Sequence, residues 1–84
     1  MITARQSRAA RALLGWTQET LADKAQVSLT ALKRLESESG LDVYETTRDQ
    51  VRRAFESAGV VLLSTEKGEG VLRLHEQKDR LARP

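Results

Sequence analysis

Residues 17–36, TQETLADKAQVSLTALKRLE, place two short amphipathic runs end to end with almost nothing between them. This spacing restricts the chain more than any other feature in it. Two helices joined so tightly must turn sharply and cross at close range. Thr17 suits the cap of the first, spanning about 18–25, and Glu19 falls in its first turn, where the helix dipole favours an anion. Leu21, Ala22 and Ala25 give it an apolar stripe. Ser28 suits the cap of the second, about 29–37, with Leu32 and Leu35 inward and Lys33 and Arg34 outward. The crossing needs a small residue on the first helix and an apolar plug in the turn, and Ala22 and Val27 supply them. Glycine is the usual residue at such a junction, and Gln26 stands there instead at a cost on the order of 1 kcal/mol.

On either side of this pair the chain continues as helices. Thr3 with Gln6 fits a capping box, and the segment 3–14 is rich in good helix formers. Ala9, Ala10 and Leu13 are expected on one side, with Arg5 and Arg8 on the other, and Gly15 as the stop. Gly40 follows the third helix, and residues 41–45 read as a loop. Thr46 and Thr47 both suit a cap, and Thr47 with Gln50 repeats the capping-box spacing. Val51, Ala54, Phe55 and Ala58 then form the strongest helical stripe of the chain, over 47–58, ended by Gly59. Trp16 and Phe55 are expected in or beside the core. VVLLS (60–64) and GVLRLH (70–75) flank TEKGE and read as a β-hairpin with a loop of four to six residues. EQKDRLARP (76–84) is charged and expected to fray. The expected architecture is mainly α: a four-helix domain over 1–58, a hairpin over 59–75 and a tail over 76–84.

Composition removes several functional classes. At 84 residues the chain is one domain with a modest core. Cysteine is absent, which excludes disulfides and thiolate metal sites. No apolar run approaches the ~20 residues of a membrane span, and the start MITARQSRAARALLG lacks a signal-peptide stretch. A cytoplasmic setting without membrane contact is the expectation. The formal charge is only +2, from 14 basic and 12 acidic residues, so the distribution of charge matters more than its sum. Arg5, Arg8 and Arg11 form a block without acids. His75 stands alone, so neither a metal nor a cofactor is expected. No nucleophile–base pair, carboxylate pair or glycine-rich phosphate loop emerges, and the chain is not expected to be an enzyme.

WTQETLADKAQVSLTALKRLE resembles the helix-turn-helix of the XRE (Cro and phage-repressor-like) DNA-binding regulators, whose pattern is matched by Gln18, Leu21, Ala22, Ala25, Val27, Ser28, Leu32, Leu35 and Glu36. RAARALLGWTQ is similar to that family's first helix, so the resemblance covers about residues 3–58. It implies a lambda-repressor-like fold, double-stranded DNA as partner, and a bacterial or phage-type transcriptional regulator. Residues 28–37 would be the recognition helix in the major groove. By position, Leu29, Thr30 and Arg34 would contact bases, with Arg34 on a guanine for ~1–3 kcal/mol of discrimination and Leu29 on a thymine methyl. Gln18, Lys33, Ser28 and Thr47 would contact phosphates. Arg11 would pair structurally with Glu36. Two departures stand out: Gln26 replaces the family's usual glycine, and Glu38, Asp42 and Glu45 make the flank after the third helix acidic, which weakens phosphate binding there.

The hairpin adds an oligomeric expectation. VVLL is apolar at four successive positions, so both strand faces favour burial, while an isolated two-stranded sheet has one face and its edges open. A second copy would cover them, with Val61, Leu63 and Val71 as dimerisation residues. Such a homodimer would set two recognition helices ~34 Å apart against a pseudo-palindromic operator. The competing reading uses the same fold as a protein-interaction or antitoxin-like adaptor with a protein partner and weak DNA binding.

Overall fold

The computed structural model describes residues 1–37 and 43–75. Four helices, α1 (Ala4–Leu14), α2 (Gln18–Ala25), α3 (Leu29–Glu36) and α4 (Glu45–Ser57), are followed by an antiparallel hairpin of β1 (Val60–Thr65) and β2 (Gly68–Arg73). The expectations for Glu38, Gly40, Asp42 and the tail 76–84 lie outside the described residues.

Side chains start the first three helices. Thr3 accepts from the Gln6 amide while the Gln6 side chain accepts from the Thr3 amide, closing a full capping box. Thr17 accepts from Thr20 N, and Ser28 from Ala31 N at 3.0 Å. Gly15, at φ 70°, ends α1, with Trp16 N donating back to Arg11 O at 2.9 Å. The fourth helix departs from expectation. It begins at Glu45 with Tyr44 as N-cap and no capping side chain, two residues before the start assigned to it. Thr47 is therefore inside the first turn, where it is 8% exposed, and does not cap the helix.

Ala10, Leu21, Ala22, Ala25, Leu32, Leu35, Val51 and Phe55 form the core, joined by Ile2 from the N-terminal segment and Val60 from β1. Trp16 stacks on Phe55 with ring centroids 5.8 Å apart and is covered from outside by the Lys24 ammonium at 5.1 Å. Arg48 donates to Ile2 O at 2.8 Å, which straps the chain start across α4. The inward face of α1 is Gln6, Ser7 and Ala10, whereas Ala9 and Leu13 are exposed. The apolar stripe expected from Ala9, Ala10 and Leu13 is thus displaced around the helix. Polar residues take the inward positions because each has a specific partner there.

In the hairpin, Val60 is opposed by Arg73, Leu62 by Val71 and Leu63 by Gly70. Val60, Leu62 and Val71 pack against the helical core. Gln6 Nε2 reaches across from α1 and donates to Leu63 O at 2.8 Å and Gly70 O at 3.1 Å. Glu69 receives the Thr3 hydroxyl at 2.6 Å and Arg5 Nε at 2.7 Å. The connection is shorter than expected, with only Glu66 and Lys67 between the strands. Its closure depends on a side chain rather than on glycine: Thr65 Oγ1 accepts from Lys67 N at 3.1 Å.

Candidate nucleic-acid interface

The α2–α3 junction is built from three consecutive residues. Gln26 is the only non-glycine at positive φ among the described residues (φ 57°, ψ 44°). That left-handed step lets Gln26 N bond to Asp23 O at 3.2 Å and Val27 N to Ala22 O at 3.0 Å, a Schellman-type stop. Val27 turns inward against the core, and Ser28 starts α3 at once. The result presents α3 with two distinct sides. Leu32, Leu35 and Glu36 are buried, while Thr30, Lys33, Arg34 and Ser37 are exposed. Among the described residues, the side chains of Lys33 and Arg34 have no hydrogen-bond or ion-pair partner. Both sit in the last turn, where the helix dipole favours cations.

A polar lock fixes the far end of α3. The Glu36 carboxylate is buried and receives Arg11 Nη2 at 2.8 Å, Arg11 Nε at 2.9 Å, the Ser7 hydroxyl at 2.5 Å and Gln18 Nε2 at 3.0 Å. Arg8 also donates to Glu36 O, at 2.5 Å. Donors from α1 and α2 therefore converge on one carboxylate of α3. Burial pushes the Glu36 pKa up, but hydrogen bonds from Arg11, Ser7 and Gln18, with the Arg11 charge, outweigh it and hold the group below the usual carboxylate range. No buried side-chain N or O among the described residues lacks a partner, so the lock is fully satisfied.

The flank of α3 is a groove of about 210 Å³ lined by Ser28, Thr30, Ala31, Arg34, Val43, Tyr44 and Thr47. Tyr44 is 82% exposed and stands at the uncapped start of α4, on the same rim as Arg34. Leu29 is half-buried and packs partly on the core, so only its outer part faces solvent. Gln18, assigned to a phosphate, turns one amide hydrogen inward onto Glu36. Thr47, also assigned to a phosphate, is too buried to offer more than the floor of the groove.

Sequence reasoning missed Ser7 and Gln18 as partners of Glu36, and Gln6 as the tie to the hairpin. The small size and i, i+3 to i+4 spacing of Thr3, Ser7 and Ala10 was the available signal for a close-packed face. The dimerisation set also needs correction. Val61 and Leu63 do point outward, at 36% and 46% exposure, together with Leu72 and Leu74. Val71 is paired with Leu62 on the opposite face, and both pack against their own helices. Among the described residues no three His, Asp or Glu side chains are grouped as metal ligands, and no helix is long and apolar enough to cross a membrane.

Comparison with known proteins agrees with this geometry. Residues 8–42 match the helix-turn-helix family model, the stretch that contains α1 from Arg8 onward, α2 and α3. No curated protein and no solved structure matches the chain. Residues 8–42 are thus similar to the helix-turn-helix of the XRE type, a family of DNA-binding regulatory domains.

Proposed function

We propose that the protein is a homodimeric, sequence-specific regulator that binds double-stranded DNA with residues 28–37 in the major groove. The observation that carries this reading is the exposed Thr30–Lys33–Arg34 surface on a helix whose opposite side is fixed by Leu32, Leu35 and Glu36. A reading head must be rigid to discriminate bases, and the buried lock supplies that rigidity. Arg34 reads a guanine, Thr30 a neighbouring base edge, and the outer part of Leu29 a thymine methyl. Lys33 contacts phosphate. Ser28 uses its oxygen to cap α3, leaving its hydroxyl hydrogen for a phosphate. Gln18 gives one amide hydrogen to Glu36 and the other to the backbone of DNA, coupling the lock to the bound duplex. On the α4 flank the Tyr44 hydroxyl takes the place first assigned to Thr47.

Regulation then follows from occupancy: a dimer held on a pseudo-palindromic operator blocks or recruits polymerase, in the cytoplasm and at the nucleoid. Binding to a random-sequence duplex across a salt series tests the reading. The expected result is weak affinity that falls log-linearly with salt, at a slope of about −0.9 per phosphate contacted. Absence of binding even at low salt would favour the adaptor reading, which the exposed apolar hairpin face also supports.

A further inference from the structure

Toward the turn, the outer face of the hairpin is bulky on β1 and bare on β2. Leu63 on β1 is opposed by Gly70 on β2, and Thr65 by Gly68; directly opposed residues share a face. Neither glycine has a positive φ, so neither is needed for backbone conformation. A Cβ built on either would meet nothing within 4 Å, so among the described residues nothing excludes a side chain there. Glycine weakens a strand, and one common use of it there is to let a ligand or another backbone approach closely. The same face carries Val61, Leu63, Leu72 and Leu74 at 36%, 46%, 50% and 46% exposure. Together these side chains present roughly 300 Å² of apolar surface, the size of the largest patch on an ordinary monomer.

We propose that two copies pack these outer faces together about a twofold axis parallel to the strands, each Leu63 seating over the partner's Gly70. The proposal rests on the homodimer reading above and specifies its seam. An axis along the strands lays β1 over the partner's β2 at the same level, so opposed residues of one hairpin become facing residues of two. Leu63 then fills the notch at the partner's Gly70, and the contact is reciprocal, as a twofold interface requires. An in-plane axis across the strands lays β1 over β1 and leaves both notches empty. Edge-to-edge pairing leaves all four apolar side chains in water. Two copies cover roughly 600 Å² of apolar surface, the apolar share of an interface of about 1,000 Å², which is the threshold for a specific interface. The level of the knob and notch is also the level held by Gln6, through Leu63 O and Gly70 O. The seam is thereby tied to α1 and, through α1, to the reading helix.

Sedimentation equilibrium of the full chain tests the seam with three variants: Leu63→Ala, Gly70→Leu and the double variant. Wild type is expected to be a dimer. Each single variant should weaken dimerisation by about tenfold or more, one by losing the knob and the other by filling the notch. The double variant should recover dimerisation, because the new leucine on β2 seats over the partner's residue 63, now small. Thermal unfolding of each variant reports that the monomer fold persists. Single variants that dimerise like wild type, or a double variant as weak as the singles, would overturn the seam while leaving the homodimer reading in place. A wild-type chain that stays monomeric at all concentrations would overturn the homodimer reading and the seam with it.

Discussion

Gln26 holds φ 57° and ψ 44°, a conformation that costs an L-residue about 1–2 kcal/mol and glycine almost nothing. Its neighbours Val27 and Ser28 leave no room to relieve that strain, because one plugs the crossing and the other starts α3. Gln26→Gly is expected to raise stability by about 0.5–1 kcal/mol, after the larger unfolded-state entropy of glycine is subtracted. Urea unfolding measures it, and a clear loss of stability would contradict the assigned turn. Glu36 gives the second residue-scale expectation. Its folded pKa lies below the ordinary value of a glutamate, so the unfolded state binds the proton more readily. The stabilisation is fully present above the unfolded value and is lost as pH falls through the lower, folded one. Glu36→Gln keeps the shape and removes that dependence. Near neutral pH it should cost about 3–5 kcal/mol, since Arg11 loses its charge partner. Stability curves of wild type and variant should converge in acid; parallel curves would show that Glu36 is not the linked group.

At the scale of elements, the helices follow local chemistry that can be read directly. Thr3 with Gln6, Thr17 and Ser28 each offer a short side-chain acceptor before an apolar run, and each caps a helix. Where a boundary depends on tertiary context, the sequence is silent. Tyr44 starts α4 without any capping side chain, so a rule based on caps moves the start to Thr47. Thr65 closes the hairpin turn with its hydroxyl, and a search for glycine lengthens the loop. Gln6 is readable as half of a capping box, but its second task, donating to Leu63 O and Gly70 O, exists only once the hairpin has docked. The same holds for the lock: Arg11 and Glu36 follow from the family resemblance, whereas Ser7 and Gln18 join them only through packing. Gln6→Glu separates the two tasks. It keeps an acceptor for Thr3 N and replaces the donor with a carboxylate facing two carbonyls. Amides of β1 and β2 should lose about 1–3 kcal/mol of hydrogen-exchange protection while those of α2 and α3 keep theirs. Unchanged protection in the strands would remove Gln6 as the tie.

For the whole molecule, the proposed function divides the work between the helix-turn-helix and the hairpin. The first combines α3, Tyr44 on its flank and Gln18 at the start of α2. The hairpin, fixed to α1 by Gln6 and by Glu69 with Thr3 and Arg5, presents apolar side chains outward. Net charge of only +2 gives little non-specific attraction to nucleic acid, so under the proposed function affinity depends on local contacts and on the two heads of the dimer acting together. The most direct test of this account is a comparison of binding to a duplex selected from a random library and to an unrelated duplex, for wild type, Arg34→Ala and Gln18→Ala. Arg34→Ala should lose about 1–3 kcal/mol on the selected duplex alone, narrowing the preference between the two. Gln18→Ala should weaken binding to both duplexes alike. Unchanged binding and preference in both variants would contradict the assignment of α3 as the reading element.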